Sequence, residues 1–114
     1  MTKRILSVLA MMSIAAMMML SSCTAAGVEC GLIGTWEYSK DKVTITIEIT
    51  ADDRIIYTGK YDGKTNVEFE STIKSVEDHE IICDVVEDLK YSDLGCDTVK
   101  FKVNGRYETF KKVN

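Results

Sequence analysis

The segment Asp41-Lys-Val-Thr-Ile-Thr-Ile-Glu-Ile-Thr50 decides the fold, because its apolar residues recur at every second position. The odd-numbered positions from 43 to 49 are Val or Ile, and the even-numbered positions from 44 to 50 are Thr or Glu. Successive side chains of a strand point to opposite faces, so a period of two indicates a strand with one packed face and one wet face.

The same alternation predicts further strands on both sides of this segment. A short strand from Thr35 to Ser39 precedes it, and strands follow over 54–61 and from Val67 toward Ile73. The turn-forming residues at 62–66 separate the last two. Val76 is out of phase with Ile73, so we expect a bulge or a strand end between them.

In the second half of the chain, a fifth strand is predicted over 80–87. The connection at 88–97 is long enough to hold a helical turn. Alternating segments then flank Asn104-Gly105, and this dipeptide favours a two-residue hairpin turn because both residues accept a positive φ.

Seven to eight short strands predict an all-β fold, an antiparallel meander that closes into a barrel or a sandwich. A barrel of about eight strands is just wide enough to hold side chains or one small ligand. We expect a solid core, whereas a void above roughly 300 Å³ would favour a ligand cavity. The expected core comprises Trp36, Val43, Ile45, Ile47, Ile49, Val67, Phe69, Ile81, Cys83, Val85, Val99, Phe101 and Val103.

Residues 1–22 have a different character from the rest of the chain. Lys3 and Arg4 precede an uncharged apolar run of 16 residues, and Ser21-Ser22 follows. This order predicts a helical secretory signal that is cleaved. The run is shorter than the roughly 20 apolar residues that a membrane-spanning helix needs.

The stretch Leu20-Ser21-Ser22-Cys23 resembles the lipobox of bacterial lipoproteins. The resemblance implies cleavage before Cys23, a diacylglycerol on its thiol and an acylated amine. Two or more acyl chains hold a protein stably at a membrane. It also implies a place in the bacterial cell envelope, anchored to a membrane and facing the periplasm or the exterior. The alternative for Cys23 is an ordinary disulfide.

The predicted organisation is therefore a signal peptide over 1–22, a lipidated polar tether over 23–31 and a β domain over 32–114. Cleavage removes two of the 14 basic residues and none of the 18 acidic ones, which moves the formal net charge from −4 to −6. A net acidic chain argues against nucleic acid as the partner.

The β domain opens with Gly31-Leu-Ile-Gly-Thr-Trp36. This resembles the Gly-X-Trp opening of lipocalins, fatty-acid-binding proteins and avidins, and Gly34 and Trp36 match it. It also resembles the start of small lipocalin-like lipoproteins of bacteria. The resemblance implies an up-and-down barrel in which Trp36 plugs the closed end, although full lipocalins are about twice as long.

Three cysteines remain beside Cys23, which predicts one disulfide and one unpaired thiol. Cys83 has the inward phase of its strand, so we predict a Cys30–Cys96 disulfide, with Cys83–Cys96 as the alternative. No Cys-X-X-Cys motif points to redox catalysis or to a zinc ribbon.

No residue pattern predicts catalysis, a metal site or a cofactor. The one histidine, His79, is expected to be a solvated turn residue, and the acidic residues at 77–97 match no calcium loop.

We therefore expect a non-catalytic binding module, attached to a membrane through Cys23, that engages an envelope or extracellular protein through loops or an exposed sheet edge. The alternative is a lipocalin-type carrier of a small apolar ligand. Its pocket would be lined by Trp36, Tyr38, Tyr57, Tyr61 and Tyr107.

Overall fold

The computed structural model describes residues 23–114, so the signal predicted at 1–22 lies outside the described residues. Eight antiparallel strands close into one barrel in the order in which they follow along the chain. They are β1 (Gly34–Lys40), β2 (Val43–Ile49), β3 (Arg54–Tyr61), β4 (Lys64–Glu77), β5 (Glu80–Cys83), β6 (Leu89–Ser92), β7 (Thr98–Val103) and β8 (Arg106–Lys112), preceded by a 3-10 turn at Cys30–Leu32. The predicted all-β meander is confirmed.

The hairpin at Asn104-Gly105 is as the sequence predicts. Val103 pairs with Arg106, and the two turn residues have φ values of 51° and 77°. An equally tight turn at Asp62-Gly63, with φ values of 53° and 79°, joins β3 to β4. The loop predicted over 62–66 is therefore only two residues long.

Two predicted elements differ from the structure. The fifth strand ends at Cys83 rather than at 87, because the carboxylate of Asp88 accepts a hydrogen bond from the Cys83 backbone N–H at 3.2 Å and turns the chain back. The connection predicted to hold a helical turn instead contains β6. The bulge expected after Ile73 is confirmed by a register shift between Ile73 and Ser75.

The core fills the end of the barrel where β1 begins, which we call the closed end. Trp36 is fully buried there, and its Nε1 donates a hydrogen bond to the Leu32 carbonyl at 2.9 Å. Phe101 packs edge-on against both Trp36 and Phe110, with ring centroids 6.4 and 5.1 Å away. The other buried apolar residues are Val28, Leu32, Ile45, Ile47, Ile49, Ile55, Ile73, Ile81, Cys83, Leu89, Tyr91, Val99 and Val103.

Four residues of the expected core are exposed, so that part of the prediction is wrong. Val43, Val67 and Phe69 have the inward phase of their strands but lie at the opposite end of the barrel, and they are 39%, 45% and 39% exposed. Val85 lies beyond the end of β5, in a loop, and is 78% exposed.

Gly34 stands where a side chain would collide with the end of the chain. Its φ is +144°, and a Cβ added there would lie 2.8 Å from the Asn114 carbonyl oxygen and 2.8 Å from Cε of Lys112. The Thr35 N–H also donates to the Asn114 carbonyl at 3.2 Å. Glycine at this position therefore lets the C-terminus close over the end that holds Trp36.

Replacing Trp36 by alanine removes the largest buried side chain and its hydrogen bond. We expect the free energy of unfolding to fall by about 3–5 kcal/mol, the range for large aromatic side chains in cores. Urea denaturation followed by circular dichroism measures it. Tyr107→Ala, on the outer face, is the matched control and should cost about 0.5 kcal/mol or less. Equal costs for the two variants would contradict the assignment of Trp36 to the core.

Candidate functional site: the two ends of the barrel

Residues 23–33, which we call the strap, cross the closed end of the barrel. Val28 is fully buried. The Ala26 N–H donates to a carboxylate oxygen of Asp53 at 3.1 Å, and the Ala26 carbonyl accepts from the Val76 N–H at 3.0 Å. The segment predicted as a polar tether over 23–31 is therefore packed on the barrel. Val28 is the one buried residue of this segment, and a single apolar residue gives no pattern from which the packing could be predicted.

A hydrogen bond also joins the strap to β6. The Tyr91 hydroxyl is bonded to the Glu29 carboxylate. Desolvation first, and then the charge and the hydrogen bond of Glu29, raise the pKa of Tyr91 to about 12. The ring of His79 meets Tyr91 edge-on at 5.3 Å. His79 lies in the turn between β4 and β5 and is exposed, as predicted.

The structure pairs Cys23 with Cys30, so the predicted Cys30–Cys96 disulfide is wrong. The strap folds back on itself, with the Cys23 N–H donating to the Val28 carbonyl at 2.8 Å, which brings the two Cα atoms to 4.9 Å. Cys83 is unpaired and buried, and Cys96 is unpaired and exposed. Burial raises the pKa of the Cys83 thiol to about 11.

This disulfide bears on the predicted lipidation, because both reactions use the same sulfur. Sγ of Cys23 can form a disulfide or a thioether to diacylglycerol, but not both. The Cys23 backbone N–H bond to Val28 does not involve the sulfur, so the strap can keep this contact in either state.

The opposite end of the barrel is open and holds two clefts. The tip cleft has a volume of about 570 Å³ and lies among the two-residue turns. It is lined by Tyr38, Lys40, Val43, Tyr61, Arg106 and Glu108, among others. The side cleft, of about 580 Å³, lies between β4 and the loop after β5. Its lining includes Tyr57, Val67, Phe69, Val86, Leu89 and Val103.

The tip cleft combines charged groups with one hydrogen-bonded tyrosine. Desolvation, followed by a hydrogen bond to the Glu108 carboxylate and its charge, raises the pKa of Tyr38. The ring of Tyr38 packs 5.5 Å from that of Phe110, where the core begins. Lys40 and Arg106 stand on the same cleft, so its wall carries charges of both signs.

The side cleft is lined mostly by apolar residues and exists because β5 is short. β4 has fourteen residues, whereas β5 has four and pairs only with Ile73–Glu77. Beyond Ile73 toward the open end, no strand lies beside β4 on the β5 side to cover Val67 and Phe69. Phe69 stacks on Tyr57, with ring centroids 4.7 Å apart and planes 1° from parallel.

The five aromatic residues predicted to line a pocket are not all brought together. Tyr38 and Tyr61 line the tip cleft, and Tyr57 lines the side cleft. Trp36 lies in the core of the closed end. Tyr107 is exposed and holds the Lys102 Nζ 5.8 Å from its ring centroid.

Sequence reasoning missed Phe69, Arg106 and Glu108 as cleft residues. For Arg106 and Glu108 a signal exists, because both share the inward phase of Phe110 on the last strand. The alternation correctly predicts that Phe69 faces inward, but it does not show how far the neighbouring strand β5 extends.

Between Cys23 and Asn114, no group of three or more His, Cys, Asp or Glu side chains is placed to hold a metal ion. No helix in the same range is long and apolar enough to cross a membrane.

The Tyr91–Glu29 contact predicts how stability changes at high pH. The folded chain keeps the Tyr91 proton up to a pKa of about 12, whereas a tyrosine in the unfolded chain loses it near 10. Between these values the folded state binds more protons, so the free energy of unfolding falls as pH rises, by up to roughly 1.4 kcal/mol per pH unit from this group. Urea denaturation between pH 9.5 and 12 measures the slope. Tyr91→Phe should make it shallower, and an unchanged slope would contradict the assignment.

Comparison with models of protein families, with curated proteins and with solved structures found no match to this chain, so the fold and the two clefts are the observations from which its function is argued.

Proposed function

We propose that this chain is a lipid-anchored, non-catalytic binding module of the bacterial cell envelope, and that the open end of its barrel engages the partner. The observation that carries the proposal is the exposure of Val43, Val67 and Phe69, which face inward at the open end while the closed end is filled. Apolar side chains gathered on a polar surface mark interaction sites.

The position of Cys23 supports the anchored part of the proposal. Cys23 begins the strap, and the strap crosses the closed end beneath Trp36. An anchor on this residue would hold the closed end at the membrane and direct the clefts away from it. The lipobox resemblance at residues 20–23 supplies the chemistry, with a thioether replacing the disulfide of Cys23.

The anchor predicts the mass of the mature N-terminus. In protein purified from bacterial membranes we expect cleavage before Cys23 and a diacylglycerol on its sulfur, as measured by mass spectrometry of the N-terminal peptide. Cys23→Ser should abolish the modification and release the chain from the membrane fraction. Cys96→Ser is the control and should leave both unchanged. An unmodified Cys23, or a retained Met1, would show that the chain is not a lipoprotein.

The open end predicts where a partner is cross-linked. A photoreactive amino acid placed at Phe69 should form a discrete protein adduct in intact cells. The same group placed at Thr46, on the outer face of β2, should not. Denaturing electrophoresis with an antibody to the chain separates the outcomes. No adduct at either position, or the same adduct at both, would sink the assignment of the open end as the interaction surface.

The second candidate, a carrier of a small apolar ligand, rests on the size of the clefts. At about 570 and 580 Å³, each exceeds the roughly 300 Å³ at which ligand pockets begin. Both clefts are open to solvent, whereas carriers enclose most of the ligand surface. A small molecule that co-purifies with the folded domain in native mass spectrometry would favour the carrier over the protein-binding module.

A further inference from the structure

We propose that the upper edge of β4, residues 64–71, receives an extended segment of a partner protein as an added strand. The segment would alternate apolar and basic side chains. This inference rests on the proposed function and names the kind of partner that the side cleft takes.

The upper half of β4 has a partner strand on one side only. β3 pairs with β4 from Lys64 to Thr72, and β5 pairs with it from Ile73 to Glu77. The chain after β5 makes its last bonds to β4 when Asp84 N–H donates to the Thr72 carbonyl at 3.0 Å and Val85 N–H donates to the Ser71 hydroxyl at 2.9 Å. It then turns away, so the space beside residues 64–71 of β4, which a longer β5 would occupy, is part of the side cleft. We call this space the vacant lane.

The phase of the β-ladder shows which backbone groups border this vacant lane. The Ile73 N–H donates to the Asp53 carbonyl across from it on the β3 side. Backbone groups of an antiparallel strand face its two neighbours alternately, so those of residues 71, 69 and 67 also face β3. The N–H and C=O groups of Glu70 and Glu68 therefore face the vacant lane, as those of Thr72 do where Asp84 bonds to it. They form a ready template for another strand.

Side chains beside the edge set the chemistry of the guest strand. Phe69, supported by Tyr57, offers an apolar surface inside the lane. On the outer face, Glu68 and Glu70 are exposed, and Glu70 is also paired with Arg54. Glu87 and Asp88 line the far wall. Carboxylates on both walls favour lysine or arginine on the guest, and the apolar floor favours large apolar residues at the alternate positions.

The same carboxylates disfavour a second copy of this chain as the occupant. Antiparallel registers centred on Glu68 and Glu70 place carboxylate opposite carboxylate, and like charges directly opposite destabilise a strand pair. Lys102 also lines the side cleft, with its Nζ 5.8 Å from the ring centroid of Tyr107, so one cation stands among the carboxylates there.

A synthetic peptide tests the inference directly. The probe is the acetylated and amidated heptapeptide Lys-Val-Lys-Phe-Lys-Val-Lys, added to the mature chain and followed by fluorescence polarisation. We expect saturable binding at one site, weakened at least about tenfold by combining Glu68→Lys with Glu70→Lys. Combining Glu37→Lys with Glu48→Lys, on the outer faces of β1 and β2, makes the same charge change away from the cleft and should leave the affinity unchanged within about twofold.

Backbone pairing has its own readout. The same peptide N-methylated at alternate residues cannot donate along one edge, and it should bind at least about tenfold more weakly. Amide hydrogen exchange at Glu68 and Glu70 should slow at least tenfold when the unmodified peptide is bound, while exchange at Lys100, on β7, should not change.

The outcomes separate this inference from the proposed function. Equal binding of the methylated and unmodified peptides would overturn strand addition and leave the cleft as a binding surface. A Phe69 cross-link in cells combined with no peptide binding would do the same. Protection of Glu68 and Glu70 that rises with protein concentration without peptide would overturn it in favour of a second copy.

Discussion

The mismatch in length between β4 and β5 is the constraint on which the rest of the structure depends. A barrel closes only where each strand has a neighbour on both sides, and the ladder between β4 and β5 covers only residues 73–77 of β4. At that level the interior is filled by side chains such as Ile73, Ile81 and Tyr91. Above it, β3 and β4 continue as a hairpin with one bare edge. The mismatch therefore sets the side cleft of the open end directly beside a packed level of the barrel.

The packed end also explains how so small a domain can hold its N-terminal segment. The strap contributes Val28 and Leu32 to the core, so it stabilises the barrel in the same way as a strand does. Asp53 and Glu29 then fix the strap through buried or partly buried hydrogen bonds. A lipid attached at Cys23 would for this reason be coupled to the barrel without a flexible spacer, and the orientation of the clefts would follow from the anchor.

The sequence correctly predicted those features that depend only on residues adjacent along the chain. Asn104-Gly105 sets its own turn, and the alternation at 43–49 sets the face that β2 buries. The end of β5 could not be predicted in this way, because it depends on a hydrogen bond from the Cys83 N–H to the Asp88 carboxylate. The sequence does not show this bond, since a strand that continued past Cys83 could also contain an aspartate at position 88. The disulfide was missed for a related reason: the fold-back of the strap brings Cys23 to Cys30, and nothing in their spacing shows that turn. Among the cleft residues, Tyr38 and Tyr57 were predicted as aromatic residues lining a pocket, but their exposure depends on strand lengths.

A bare edge is normally a hazard, since its unpaired N–H and C=O groups invite aggregation, and proteins protect such edges with charge. Glu68 and Glu70 fit this role on β4, because they flank the backbone groups that face the vacant lane. The same charges act differently on different strands that approach. They oppose another copy of this acidic chain, and they attract a strand that carries lysine or arginine. An edge that a longer β5 would have covered is thus protected against self-association and still open to a basic strand. It is uncovered because the chain leaves β4 after Asp84 and Val85, whose N–H groups make its last bonds to that strand.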